Sequence, residues 1–218
     1  MVENQIRPNR VTAPALLQAL LDVPREEFVA LPERGVAYVD EDIRLIGAKQ
    51  TGPRWLMEPM VFARLLQAAE IEKSDIVLEI GCGSGYGTAV LSRLAATVVA
   101  VESDPALAAI AADNLEKQKV DNVAFIDGDL KAGCPDQGPY NVIVYGGAID
   151  RISDEIAAQL AEGGRLVAVL REAGNRQDAP VGKAILALRR GGQLSHRVLF
   201  DAETPYLPGF APKPSFVF

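Results

Sequence analysis

The sequence has few of the side chains on which metal and disulfide chemistry depends. Its 218 residues include only two cysteines, one histidine and one tryptophan. Cys82 and Cys134 stand far apart and have no histidine or cysteine neighbour at ligand spacing. This usage is typical of a protein in a reducing compartment, and we expect neither a disulfide nor a metal site.

Long hydrophobic runs and an excess of positive charge are also missing. No apolar run reaches the roughly 18–20 residues that a membrane-spanning helix needs, and residues 1–10 lack the apolar core of a signal peptide. We therefore expect a cytoplasmic protein with no membrane partner. The net charge of −7 argues against a broad basic surface, so no nucleic-acid partner is expected. The oligomeric state has no signal in the sequence.

The most informative stretch is a glycine-rich turn that follows an apolar run. The run 76–80 predicts a buried strand, and Gly81, Gly83 and Gly85 come before an apolar helical pattern that begins near Tyr86. Glycines let a backbone approach a ligand closely. A nicotinamide dinucleotide is the main competing ligand, since it also binds an acid through its ribose, but a dinucleotide-binding turn needs a glycine where Tyr86 stands. The pattern acid-x-G-x-G-x-G, from Glu79 to Gly85, resembles the first motif of class I S-adenosylmethionine-dependent methyltransferases.

Acidic residues lie at or just beyond the ends of two further predicted strands. Thr97–Glu102 is an apolar run that finishes in Glu102, and Asp129 follows the run 123–126. Alone, such acids are commonly turn formers, but here they follow successive strands at the edge where open α/β sheets bind ligands. Glu102 suits the two ribose hydroxyls of the cofactor, and Asp129 suits the adenine amine. The predicted cofactor-binding residues are Glu79, Gly81, Cys82, Gly83, Ser84, Gly85, Tyr86, Glu102, Ser103, Asp129 and Leu130.

Alternating strand and helix patterns predict an α/β fold with a doubly wound, mostly parallel sheet. The motif resemblance implies that this sheet is of the Rossmann-like class I methyltransferase type. The runs 181–190 and 194–200, joined by Gly191-Gly192-Gln193, predict an antiparallel hairpin at the edge. The pattern also predicts a helix over 153–161. We divide the chain into an N-terminal helical extension with a substrate-side loop (1–57), an S-adenosylmethionine-binding domain (58–204) and a proline-rich tail packed on that domain (205–218).

Several strings resemble the protein-L-isoaspartate O-methyltransferase family. They are Val-Pro-Arg-Glu-Glu-Phe-Val at 23–29, the text from Leu78 to Tyr86, Gly128-Asp129, and the segments 139–143 and 159–166. The resemblance implies methyl transfer from S-adenosylmethionine to the α-carboxyl of an L-isoaspartyl residue, the first step in repairing damaged proteins. It also implies a protein or peptide partner that carries isoaspartyl residues. A carboxylate with a pKa near ~4 is already ionised at neutral pH and needs no general base, which suits a chain with one histidine.

The chain departs from this family just before the predicted helix 58–69. The family pattern there is Gly-Gln-Thr-Ile-Ser-x-Pro, and its hydroxyls hold the substrate, whereas this chain reads Arg-Trp-Leu-Met-Glu-Pro at 54–59. Met57 stands in the serine position and cannot donate a hydrogen bond. Gln50-Thr51 is similar to the missing text but is displaced from Pro59. The substrate-side candidates are Trp55, Met57, Glu58 and Pro59, and no residue is assigned a catalytic role.

Three functions remain open from the sequence. The first is an isoaspartyl-type carboxyl methyltransferase. The second is a relative with an altered substrate or lost catalysis, acting as a cofactor-binding or interaction module. The third is an RNA methyltransferase, which the acidic net charge disfavours and which lacks the Asn-Pro-Pro-Tyr type motif, because Tyr-Gly-Gly-Ala stands at 145–148.

Overall fold

The computed structural model describes residues 1–47, 52–171 and 181–212. Gln50-Thr51 therefore lies outside the described residues. The regular elements are, in chain order, α1 (Pro14–Asp22), β1 (Ile43–Leu45), β2 (Arg54–Leu56), α2 (Pro59–Ala69), β3 (Ile76–Ile80), α3 (Tyr86–Ser92), β4 (Thr97–Glu102), α4 (Pro105–Lys117), β5 (Val123–Asp127), β6 (Tyr140–Ile149), α5 (Asp154–Ala158), β7 (Leu160–Leu170), β8 (Lys183–Arg190) and β9 (Gln193–Asp201). Short 3-10 turns cover Arg25–Phe28, Leu31–Val36 and Pro135–Gln137.

Seven strands form one sheet in the order β5-β4-β3-β6-β7-β8-β9. Strands β3 to β7 run parallel, while β8 is antiparallel to both of its neighbours. The doubly wound, mostly parallel sheet and the antiparallel edge hairpin are thus confirmed. The order reverses between β3 and β6, and in open α/β sheets ligands bind beyond the carboxyl ends of the strands at such a reversal.

Burial on both faces explains why the central strands read as continuous apolar runs. Successive side chains point to opposite faces, so Val77 and Val98 join one hydrophobic core while Leu78 and Val99 join the other. The register pairs Ile80 with Val101 on one side and with Tyr145 on the other. The carboxyl ends of β3, β4 and β6 are therefore brought together.

The N-terminal part packs onto one face of this sheet. Ile6, Leu16 and Phe28 are buried in the same core as Val77. At the other end of the chain, Tyr206 forms a parallel bridge with Ala148. The division at 57 and 204 stays a prediction.

The predicted helix over 153–161 is shorter than expected. It covers only Asp154–Ala158, with the Ser153 hydroxyl accepting from the Ile156 N–H at 3.3 Å. Strand β7 already begins at Leu160, which pairs with Tyr140. No helix among residues 1–47, 52–171 and 181–212 is long and apolar enough to cross a membrane.

Helix α4 begins with a side-chain cap. The Asp104 carboxylate accepts from the N–H groups of Ala106 at 3.0 Å and Leu107 at 3.4 Å, and Pro105 occupies the first position, where a missing N–H costs nothing. We predict that Asp104→Ala lowers the free energy of unfolding by about 1 kcal/mol, since two N–H groups lose their acceptor. Urea unfolding measures the change. Asp113→Ala, on an exposed part of the same helix, is the control and should change stability by less than ~0.5 kcal/mol.

Candidate functional site

The glycine turn after β3 is fixed by backbone conformations that glycine adopts readily. Gly81, Gly83 and Gly85 have φ values of 81°, 59° and 91°, in the left-handed region. The N–H groups of Gly81 and Cys82 both donate to the Val101 carbonyl, at 2.9 and 3.3 Å. The turn is therefore tied to the end of β4.

Glu79 lies beneath this turn and is 2% exposed. Its carboxylate accepts from the Thr88 hydroxyl at 2.5 Å. A Cβ at position 87 would lie 2.0 Å from Glu79 Oε1, so this carboxylate requires the glycine found there. Burial raises the pKa of Glu79 to about 7, although the Thr88 hydrogen bond opposes the shift.

Glu102, at the end of β4, is fully buried and has five N–H donors on its two oxygens. Arg54 Nη1 and Nη2 approach Oε1 and Oε2 at 3.2 and 2.9 Å. The N–H of Gly83 lies 2.8 Å from Oε2, and those of Ser103 and Asp104 lie 2.9 and 3.1 Å from Oε1. Arg54 is not among the residues predicted from the sequence, because nothing in a lone arginine 48 residues away from its partner indicates an ion pair.

Side chains of the protein itself fill the space over the glycine turn. A Cβ added to Gly81 would lie 2.7 Å from Leu207 Cδ2 and 3.0 Å from Arg54 Nη2. A Cβ added to Gly83 would lie 2.8 Å from Leu45 Cδ1. The cavity that remains beside Glu79 has a volume of about 20 Å³, enough for about one water molecule. The donor and acceptor types around the turn suit S-adenosylmethionine.

Tyr86 connects the turn to the N-terminal part of the chain. It is buried, and its ring centroid lies 5.6 Å from that of Phe28 and 5.8 Å from that of Phe62. The Arg25 guanidinium stacks 4.8 Å from the ring centroid. Tyr86 therefore packs here as a core aromatic, and its predicted contact with a cofactor stays a prediction.

The other predicted cofactor residues differ in their placement. Asp129 is exposed and accepts from the Lys131 N–H at 3.0 Å, while Leu130 is buried in the core. The Gly128 N–H donates to the Glu102 carbonyl at 3.0 Å, which keeps this turn next to the end of β4. Cys82 and Ser84 are buried within the glycine turn, and Ser103 directly follows Glu102. Burial raises the pKa of the Cys82 thiol.

Two of the four substrate-side candidates line the same small cavity, and the other two come directly after them in the chain. Trp55 and Met57 line it, and the Met57 carbonyl accepts from Arg25 Nη2 at 2.7 Å. The N–H of Glu58 donates to the Asp42 carboxylate at 3.0 Å, and Pro59 begins α2.

The Glu58 carboxyl lies in an acidic environment. Partial burial, followed by the charges of Asp42, Asp40 and Glu41, raises its pKa to about 7. The described residues 1–47, 52–171 and 181–212 contain no group of three or more histidine, cysteine or acidic side chains placed to hold a metal ion.

We predict that Glu79→Gln stabilises the protein in mild alkali. The folded-state pKa is about 7 and the ordinary value is 4.5, so the wild type loses stability as pH rises from 4.5 to 7 and regains none above it. The neutral amide avoids this loss, and the free energy of unfolding at pH 8 should rise by up to roughly 3 kcal/mol. Urea unfolding at pH 5 and 8 measures this. Glu116→Gln, on the exposed face of α4, is the control and should keep the wild-type pH dependence of stability. If Glu79→Gln also kept the wild-type pH dependence, the raised pKa of Glu79 would be refuted.

The sheet order, with the glycine turn after β3 facing an acid at the end of β4, defines a class I methyltransferase fold of the Rossmann-like type. The model of the family described as Protein-L-isoaspartate(D-aspartate) O-methyltransferase matches residues 1–189. The chain belongs to the protein-L-isoaspartate O-methyltransferase family.

Individual relatives agree with this assignment. The chain is 38% identical to a protein-L-isoaspartate O-methyltransferase of Koribacter versatilis, over 77% of this chain and 73% of that protein. It is 40% identical to one of Gloeobacter violaceus, over 77% and 79%. A solved protein-L-isoaspartate O-methyltransferase superimposes with a TM-score of 0.81 at 26% identity, covering 96% of this chain and 66% of the other.

A more distant structure shows the same fold. It is a Plasmodium falciparum protein, described as a candidate protein-L-isoaspartate O-methyltransferase and solved in complex with S-adenosyl-L-homocysteine. Its TM-score is 0.74 at 16% identity, covering 93% of this chain and 94% of the other.

Proposed function

We propose that this chain is an S-adenosylmethionine-dependent protein-L-isoaspartate O-methyltransferase that methylates isoaspartyl residues in proteins or peptides. The observation that carries the proposal is the meeting of the Glu79–Gly85 turn with Glu102, joined by the Gly83 N–H, in a chain of this family. A carboxylate with two acceptor oxygens beside a glycine turn suits a ribose diol.

Within this proposal, three of the predicted acidic residues bind different parts of the cofactor. Glu102 accepts from the ribose hydroxyls, Glu79 orients the amino end of the cofactor, and Asp129 accepts from the adenine amine. When bound, the cofactor supplies an electrophilic methyl group on a sulfonium. The substrate carboxylate is ionised at neutral pH, so the protein needs to position it and exclude water. Trp55 and Met57 supply an apolar wall for that purpose.

A second candidate is a family member with a different methyl acceptor. Met57 is buried, and its side chain has no hydroxyl to donate to a substrate. Its backbone carbonyl accepts from Arg25 Nη2. The isoaspartyl substrate would then lack the hydroxyl donors that the family motif provides. Comparing acceptors separates this candidate from the first.

The test is transfer of a labelled methyl group to an isoaspartyl peptide, with the same peptide containing ordinary aspartate as the matched acceptor. We expect label in the isoaspartyl peptide alone. Glu102→Gln should weaken S-adenosyl-L-homocysteine binding at least ~tenfold in calorimetry, because it replaces an acceptor oxygen and removes a charge. Asp121→Asn, exposed before β5, is the control and should bind like the wild type.

Other outcomes separate the alternatives. Label in lysate proteins, with none in the isoaspartyl peptide, would favour a different acceptor. Cofactor binding without transfer to either would favour a binding module. Unchanged affinity in Glu102→Gln would refute the cofactor site.

We further predict that Glu58 makes the reaction pH-dependent. With a pKa of about 7, its carboxyl is neutral below that pH and charged above it, where it repels an anionic substrate. The wild-type KM for an isoaspartyl peptide should therefore rise several-fold from pH 6 to 8, at saturating cofactor. Glu58→Gln should flatten this rise, whereas Glu116→Gln should leave it intact. A rise that persists in Glu58→Gln would show that another group causes it.

A further inference from the structure

Arg54 forms a buried ion pair with Glu102, the carboxylate that the proposed function assigns to the cofactor ribose. Its side chain is 1% exposed and that of Glu102 is 0% exposed. The guanidinium reaches both carboxylate oxygens, the two-pronged geometry in which arginine binds carboxylates most strongly.

This pairing uses the acceptors that the cofactor would need. A carboxylate has about four lone-pair sites, and five N–H groups already point at those of Glu102. Three of the five belong to backbone that is fixed by the glycine turn and the start of α4. Only the two Arg54 donors come from a side chain. The ribose hydroxyls would therefore compete with the Arg54 guanidinium for the same two oxygens of Glu102.

The same guanidinium also blocks the glycine turn. Arg54 Nη2 lies 3.0 Å from the position that a Cβ on Gly81 would take, next to Leu207. Leu207 is held by backbone bonds, since its N–H donates to the Ala148 carbonyl and the Ala148 N–H donates to the Pro205 carbonyl, both at 2.9 Å.

Arg54 is held less firmly by its own element. Within residues 1–47, 52–171 and 181–212, strand β2 pairs only with β1, in a two-stranded sheet separate from the seven-stranded one. Within the same ranges, Arg54 Nε is buried and has no hydrogen-bond partner. Release of the side chain thus breaks the Glu102 contact and no bond of the main sheet.

We propose that Arg54 is an internal competitor of the cofactor: it occupies the ribose-binding carboxylate of Glu102 in the ligand-free protein and must leave when S-adenosylmethionine binds. The inference rests on the proposed function. In the absence of ligand, molecules in which Arg54 has left Glu102 are then a minor population. The apparent affinity for the cofactor is reduced in proportion to that minor fraction. Pairing also neutralises a carboxylate that is otherwise buried without a counter-charge.

The experiment is calorimetric titration of the full chain with S-adenosyl-L-homocysteine. We expect Arg54→Ala to bind ~tenfold more tightly or better than the wild type, because the competitor is gone. Arg54→Lys keeps a charge but loses the two-pronged fit, so it should fall between the two. Arg44→Ala is the matched control: it is exposed on β1, directly opposite Trp55 in the register, and should bind like the wild type.

The single tryptophan gives an independent signal. Trp55 follows Arg54 on β2 and lines the small cavity. Ligand should shift the Trp55 emission of the wild type, and ligand-free Arg54→Ala should already resemble the ligand-bound wild type. If Arg54→Ala proves too unstable to titrate, Arg54→Lys decides by the same two measurements.

The outcomes distinguish this inference from the proposed function. Binding by the wild type with equal or weaker binding by Arg54→Ala and Arg54→Lys would overturn the inference alone and make Arg54 structural or a cofactor ligand. Absence of binding in every variant would overturn both. Binding by Arg54→Ala alone, with none by the wild type, would support the inference most strongly.

Discussion

The buried ion pair between Arg54 and Glu102 is the constraint on which the rest of the site depends. Removing two charges from water costs several kcal/mol per ion, and their attraction offsets this only with good geometry and further hydrogen bonds. Here the guanidinium contacts both carboxylate oxygens, and three backbone N–H groups complete the shell around Glu102. The pair also links the separate β1–β2 sheet to the end of β4.

The glycine turn follows from the same packing. Its N–H groups satisfy the Val101 carbonyl and the Glu102 carboxylate, which requires left-handed conformations at Gly81 and Gly83. A second buried acid, Glu79, lies beneath the turn and is accommodated because position 87 has no side chain. Two carboxylates thus lie close to one turn, one paired with arginine and the other hydrogen-bonded to a hydroxyl.

Arg25 connects the N-terminal residues to the segment that precedes α2. Arg25 donates to the carbonyls of Ala37 at 2.8 Å and Met57 at 2.7 Å, and stacks on Tyr86. The residues before α2 are therefore held by backbone contacts that depend little on whether serine or methionine stands at position 57. The path of the chain at this place therefore stays supported although the family motif has changed.

The sequence by itself determined the alternation of strands and helices in the main sheet, the glycine turn and the acid at the end of β4. These features depend on neighbours along the chain, on side-chain periodicity and on the backbone freedom of glycine, all of which can be read locally. Only the tertiary structure decided that Tyr86 packs between Phe28 and Phe62, and that Arg54 lies against Glu102. Those contacts join residues far apart in the chain, and the burial that makes them strong exists only after the sheet and the N-terminal extension have folded together.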